Sequence, residues 1–322
     1  MTTPTHFTPP KNGHDPRKTK VALLVGGWNS ERNVSLMSGK KILESMIRLG
    51  YQVTSLDLSR DIKKLVDFLT PKPDIVFLGA LHGHGVEDGR LQGLLDILQV
   101  RYTHSEMTAS AIGMNKVMTL KFMQSIGVPT PKSTLRKWAD ICRKHPMHTP
   151  YVIKPLDEGS SVGVYIIQDN QTPLEDQVNW SFGDDVMVEE YIPGKELSCA
   201  VLNNKALGIL ELEPKSGFYD YSNKYTDDAT THYMPARIPD AVYEKVMEDT
   251  LKVHQALGCS GATRCDIRYD PDTGRLAFLE INTLPGYTPL SIVPEIAAYA
   301  GISYDESIYL LIEEGLCRAL PR

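Results

Sequence analysis

A short hairpin carries the strongest chemistry in the chain. Ala262 to Tyr269 and Arg275 to Ile281 read as strands, and Asp270-Pro-Asp-Thr-Gly274 between them is a turn. Side chains two apart on a strand share a face, so Asp266 lies with Arg264 and Glu280 with Asn282. A turn centred on Asp272 and Thr273 puts Asp266 level with residue 278 or 280, which sets Asp266 and Glu280 on one face in either register. Asp, Glu and Asn are hard oxygen donors, suited to Mg²⁺ and the phosphates it accompanies. The competing reading is a solvated face with scattered charge. The apolar flanks Leu276, Phe278 and Ile281, and the Thr-Leu-Pro-Gly-Tyr loop that follows, weigh against it.

Four further segments could bind. In Lys154-Pro-Leu-Asp-Glu-Gly-Ser-Ser-Val-Gly163, two glycines bracket Ser160 and Ser161, so backbone N–H groups and hydroxyls can cradle an anion beside Lys154. The same stretch fits G-x-S-x-G, the nucleophile elbow of serine hydrolases, but that elbow needs a helix after it and Val162 to Ile167 reads as a strand. There is no Walker A motif. Gly26-Gly-Trp-Asn-Ser-Glu-Arg-Asn-Val-Ser35 joins a strand to a helix without a dinucleotide fingerprint, and its Glu31 could hold an ammonium or simply sit in a first helical turn. His82-Gly-His-Gly-Val-Glu-Asp-Gly89 follows a strand, at the end where open α/β sheets bind ligands. Glu189-Glu-Tyr-Ile-Pro-Gly-Lys-Glu196 joins two strands and offers carboxylates and backbone groups, a weak signal alone.

The elements that position these residues alternate at first. Val21 to Val25, Tyr51 to Leu56 and Asp74 to Leu78 are short apolar runs, separated by helical spacings at 42–49 and 62–69 and followed by another at 91–98. That is a parallel βαβ pattern, expected to form a domain at about 19–112. Residues 107–126 read as one further helix. Strands without intervening helices then mark a β-rich unit at about 113–196, and a C-terminal unit fills 197–322. The polar, tyrosine-rich stretch 213–233 is long for a loop inside a compact chain, which points to function. A helix is expected at about 240–257, and residues 1–18, with four prolines, read as a disordered tail.

Composition narrows the classes. The 322 residues suggest about two domains, or three small ones. Thirty-four basic against forty acidic residues give a net charge of −6, without the basic excess of a nucleic-acid binder. No apolar run reaches the ~18 residues that cross a bilayer. Five cysteines with no C-x-x-C read as reduced thiols of a cytosolic protein.

Taken in order, these segments resemble the D-alanine–D-alanine ligases of the ATP-grasp superfamily. The resemblance rests on Gly26-Gly-x-x-Ser-Glu-Arg-x-Val-Ser35, Leu81-His-Gly83 with Glu87-Asp-Gly89, Lys154-Pro with Glu158-Gly-Ser-Ser-Val-Gly163, and Phe218-Tyr-Asp-Tyr-x-x-Lys-Tyr225. It continues through Arg264-x-Asp266, Glu280-x-Asn282 with Pro285-Gly286, and Ser291, covering nearly everything after residue 20. It implies an α/β chain, α+β overall, with the N-terminal parallel βαβ domain followed by a two-domain ATP-grasp fold. It also implies ATP, two Mg²⁺ ions (replaceable by Mn²⁺) on Asp266, Glu280 and Asn282, and ligation of two D-alanines through a D-alanyl phosphate for peptidoglycan precursors. Carried over by position, Lys116 and Lys154 would hold phosphates with Ser160 and Ser161. Glu189, Glu190, Tyr191, Ile192 and Glu196 would hold adenine and ribose. Glu31, Val34 and His82 would receive the first D-alanine, Arg264 and Gly286 the transferred carbonyl, and Lys224, Ser291 and Ile292 the substrates around the second carboxylate. Ser160 would link Glu31 to Tyr225 and close the long loop. The family is commonly homodimeric and cytoplasmic. His84, Val86, Cys265 and Tyr287 depart from its usual pattern without touching an implied ligand.

Three rivals remain at this level. A D-alanine–D-lactate ligase shares the fold, but Lys224-Tyr225 looks like the D-alanine type. A non-catalytic nucleotide-binding regulator should have lost one of Lys116, Lys154, Asp266, Glu280 or Asn282, all of which are present. A serine esterase would need the elbow that the strand after Gly163 argues against.

Overall fold

The computed structural model describes residues 7–10, 13–29, 31–159, 162–215 and 230–320. Strands β1 (Lys20–Gly26), β2 (Gln52–Leu58) and β3 (Ile75–Phe77) form a parallel sheet in the order β2-β1-β3. Central β1 is buried on both faces, which is why its sequence shows no alternation. Helices α1 (Arg32–Leu49), α2 (Ile62–Phe68) and α3 (Arg90–Ile97) follow the strands, as the apolar spacing predicts. α1 ends at Gly50, whose φ of +89° closes the last turn.

The single helix expected over 107–126 is two, α4 (Met107–Met114) and α5 (Lys116–Ser125). Asn115 between them is extended, with φ −92° and ψ 102°, and its side chain caps α5 by accepting from the Met118 N–H at 3.0 Å. The break sets Lys116 at the start of a helix. Leu120 and Met123 of α5 pack with Phe278 and Ile281, so this segment covers the C-terminal sheet.

Strands β4 (Ser133–Lys137), β5 (Tyr151–Lys154), β6 (Tyr165–Ile167) and β7 (Asp185–Glu190) make an antiparallel sheet in the order β4-β7-β5-β6, with short helices α6 (Trp138–Arg143) and α7 (Leu174–Gln177). Strands β8 (Lys195–Leu202), β9 (Lys205–Pro214), β10 (Thr230–Tyr233), β11 (Ala262–Asp270) and β12 (Arg275–Asn282) make a second, ordered β10-β9-β8-β11-β12. Helix α8 (Asp240–Ala256) lies on it, with Val246 and Val253 buried. Helices α9 (Ile292–Tyr299) and α10 (Tyr304–Cys317) pack between this sheet and the first one, through Val293, Ile296, Ile308 and Ile312. The stretch read as a loop from 213 to 233 begins and ends in strand, with Thr230 paired to Pro214.

The segment expected to be a disordered tail is docked where it is described. Phe7 packs 5.3 Å from the Tyr309 ring, and the His14 ring stacks on Tyr309 at 4.5 Å while bonding Glu313. Aromatic surface that a tail would leave wet is covered here, and Pro16–Lys18 turns as a short 3₁₀ helix into β1. The five thiols are unpaired, and among the described residues no helix is long and apolar enough to cross a membrane.

Candidate active site

The hairpin β11–β12 places the acidic face by an unexpected route. Its turn pairs Asp270 with Arg275, a register that, continued regularly, would set Asp266 opposite Leu279 and point Glu280 away. A β-bulge at Leu279 adds one residue to β12, after which Asp266 faces Glu280 and Arg264 faces Asn282. The expected shared face is therefore present, through a bulge and not through the turn. Asp266 accepts from Arg264 with both oxygens, at 2.8 and 2.9 Å, and from Ser198 at 2.6 Å. Glu280 lies 3.7 Å from Lys116 Nζ, and Asn282 Oδ1 accepts from the Leu284 N–H at 2.9 Å. Two carboxylates and an amide oxygen on one strand face, with cations already beside them, fit a hard divalent ion.

A cleft opens between the two antiparallel sheets, with Asp266, Glu280, Lys116, Lys154 and Glu189 in its wall. Lys154 ends β5 and Glu189 stands on β7, where Val152 pairs with Glu189, so the three share a face. Lys154 Nζ meets Glu189 Oε1 at 3.0 Å, and both side chains are almost fully buried. Burial pushes the Glu189 carboxyl above the usual carboxylate range, against the pull of Lys154. Lys116 donates to the Glu158 carbonyl, and its own backbone N–H to the Leu156 carbonyl at 3.0 Å, which ties α5 to the glycine-rich loop. Ser160 and Ser161 lie outside the described residues. After Gly163 the chain enters β6, so the helix that a hydrolase elbow requires is not there.

Glu190 stands in the cleft wall and is also tied to the hairpin. Arg275 donates to both of its carboxylate oxygens. Tyr191 and Ile192 line the cleft as expected, together with Glu196. Sequence reading missed Arg268, a buried guanidinium in the same wall that bonds Glu196 at 3.3 Å. Its position was legible, two residues beyond Asp266 on the same strand face, but nothing in the sequence marks an arginine there as buried.

The other end of the site gathers the N-terminal motifs. Glu31 precedes α1, and its Oε2 lies 3.9 Å from where a Cβ on Gly159 would stand, so the first motif meets the glycine-rich loop. Asn29 donates to the His82 carbonyl, and His82 Nδ1 lies 3.3 Å from Glu87 Oε1. His82 is buried, and among the described residues its Nε2 has no hydrogen-bond partner. A Cβ on Gly286 would stand 3.3 Å from Ser291 Oγ and 3.8 Å from His82 Cε1, so the three converge at the Gly286 backbone. Ser291 precedes α9 and its Oγ accepts from the Thr288 N–H at 3.0 Å. Val34 and Ile292 are half-buried in the first turns of α1 and α9. Lys224 and Tyr225 lie outside the described residues.

Comparison with known proteins agrees with this geometry. A family profile described as "D-ala D-ala ligase C-terminus" matches residues 108–313. The chain is 46% identical over 304 residues to D-alanine–D-alanine ligase B of Mesorhizobium japonicum, covering 92% of this chain and 98% of the relative. It is 47% identical over 307 residues to D-alanine–D-alanine ligase of Zymomonas mobilis, covering 93% and 94%. Among solved structures, the D-alanine–D-alanine ligase of Bacillus anthracis complexed with ATP superposes with a TM-score of 0.76 at 27% identity, covering 92% and 97%. The VanG D-Ala:D-Ser ligase of Enterococcus faecalis gives 0.77 at 29%, covering 92% and 99%. With its bulged acidic hairpin, its lysine-lined cleft and these matches along its length, the chain belongs to the D-alanine–D-alanine ligase family.

Proposed function

We propose that the chain joins two D-alanines into D-alanyl-D-alanine at the expense of ATP, by way of a D-alanyl phosphate, to supply a peptidoglycan precursor. One observation carries the reading. The Asp266–Glu280 face borders a cleft holding two buried lysines, and His82 and Ser291 converge on Gly286. A carboxylate attacking a phosphate brings two anions together, so the work falls to positioning and charge. Lys116 and Lys154 offset phosphate charge, and Glu189, Glu196 and the Tyr191–Ile192 backbone receive the nucleoside. Asp266, Glu280 and Asn282 would hold Mg²⁺, which neutralises phosphate oxygens when bound. Glu31 takes the ammonium of the first D-alanine and His82 its carboxyl end. Arg264, held in place by Asp266, faces the oxyanion formed when the second amine attacks, beside the Gly286 backbone. Ser291 and the first turn of α9 receive the second carboxylate, near Ile292. Ser160, Lys224 and Tyr225 close the site against water, which would otherwise hydrolyse the acyl phosphate. The division at 19–112, 113–196 and 197–322, a homodimer and a cytoplasmic location complete the proposal.

Phosphate release from Mg-ATP tests it, with D-alanine, L-alanine, or D-alanine mixed with D-lactate or D-serine. Turnover and D-alanyl-D-alanine from D-alanine alone are expected. Preference for a mixture would move the second-substrate assignment, and ATP binding without turnover in any mixture would point to a regulator.

A further inference from the structure

Residues 191–194 carry the chain from β7 in one antiparallel sheet to β8 in the other, so they form a hinge at the back of the cleft. One hairpin grips this hinge at both ends. Arg275 of β12 holds Glu190 where the hinge begins, with Nη2 2.5 Å from Oε2. Arg268 of β11 holds the rest. Its Nε donates to the Ile192 carbonyl at 3.1 Å, its Nη2 to the Gly194 carbonyl at 2.9 Å, and its Nη1 to Glu196 Oε2 at 3.3 Å. Gly194 has φ +90°, and a Cβ there would stand 2.3 Å from the Tyr269 carbonyl, so the hinge backbone lies directly on β11. Arg268 is 8% exposed and its Cζ lies 6.0 Å from the Tyr191 ring.

We propose that Arg268 is a positioning residue for the nucleotide, acting through the hinge. This rests on the reading that ATP occupies the cleft. A base can be read by a backbone edge only if the edge keeps its order of donors and acceptors. Arg268 takes two of the hinge carbonyls and the Glu196 carboxylate, which fixes that edge and the carboxylate offered to the ribose. The planar fork can hold these acceptors together, whereas a lysine ammonium on a flexible stem cannot hold both carbonyls in this geometry. The same grip ties the angle between the two sheets to the strand that carries Asp266, so base, ribose and phosphate ends of the cleft share one rigid support.

The test compares Arg268→Met and Arg268→Lys with the unaltered chain. ADP affinity is measured by calorimetry without amino acid, and KM is measured separately for ATP and D-alanine. Losing charge-assisted hydrogen bonds should weaken ADP binding and raise the ATP KM roughly tenfold or more in both variants. The D-alanine KM should stay within about twofold. A lower Tm with unchanged ADP affinity would reduce Arg268 to a structural role, and an equal rise in both KM values would also overturn the proposal. Should Arg268→Met fail to fold, Arg268→Lys decides alone by the same criteria. An unaltered chain that binds ADP without joining D-alanine would remove the ligase reading and leave this proposal to be judged on ADP affinity. One that binds no ADP would remove both.

Discussion

Lys154 Nζ stands 2.9 Å from Glu189 Oε2, and neither side chain retains more than a few per cent of its surface. A cleft lysine is thus held ready by a carboxylate that burial would rather protonate. Glu189→Gln leaves the ammonium buried without this counter-charge, which should cost about 3–5 kcal/mol of unfolding free energy. Urea denaturation checks this, and the double variant Lys154→Met/Glu189→Leu should lose less than the single one. A single variant within about 0.5 kcal/mol of the original chain would contradict the pair's role.

Arg264 is oriented by Asp266 through two hydrogen bonds. Arg264→Ala should lower kcat by something like 10²-fold or more, the loss typical of one oxyanion donor. A kcat within about twofold of the original would take Arg264 out of the reaction.

His82 has Glu87 beside one ring nitrogen, and the other is buried without a partner among the described residues. The ring nitrogen away from Glu87 can serve as an N–H donor to a substrate carboxylate. His82→Gln should raise the D-alanine KM by about ten- to a hundredfold with little change in the ATP KM. Parallel changes in both would argue that the residue only supports the loop.

Two other histidines set an acid limit. Burial holds His104 neutral down to about 3 and His254 down to about 4. In the unfolded chain both protonate near 6.5. Their folded values are lowered, so stability is lost as pH falls from about 6.5 toward 4, where the unfolded chain binds protons that the folded one refuses. Each histidine contributes up to about 1.4 kcal/mol per pH unit in that window. Denaturant titrations from pH 7 to 4 should show a slope shallower by that amount in His104→Gln. Identical slopes would mean that His104 is charged or exposed in the fold.

Chelation of divalent ions should abolish phosphate release, with Mg²⁺ restoring it, while Tm moves little. The acidic face does not depend on a metal for compensation, because Arg264, Ser198 and Lys116 already stand beside its carboxylates. A large fall in Tm on chelation would show that the ion is structural.

Elements with one strong signature were legible. β1 and β3 are apolar runs, α1 and α8 show clean helical spacing, and the acidic residues sit where a hairpin must put them. The misses have separate causes. β4 is largely exposed and reads Ser-Thr-Leu-Arg-Lys, without an apolar stripe. β10 is four half-buried or exposed polar residues that pair only because β9 runs on to Pro214. Asn115 breaks a helix because its side chain caps the next one, a local competition that periodicity does not register. Arg268, Arg275 and the docked Phe7 and His14 act through partners far away in sequence, which no local pattern reveals.

The extra residue at Leu279 has a consequence for how such a chain can vary. In an alternating strand, losing or gaining one residue in the turn would invert everything beyond it and aim Glu280 and Asn282 at the wrong side. The bulge acts as a parity correction between a turn of one length and a metal-facing edge of fixed phase. Drift in the length of the 271–274 turn can thus be absorbed by gaining or dropping a bulge further along β12, and the hairpin tip can evolve at its own pace while the chemistry stays in phase.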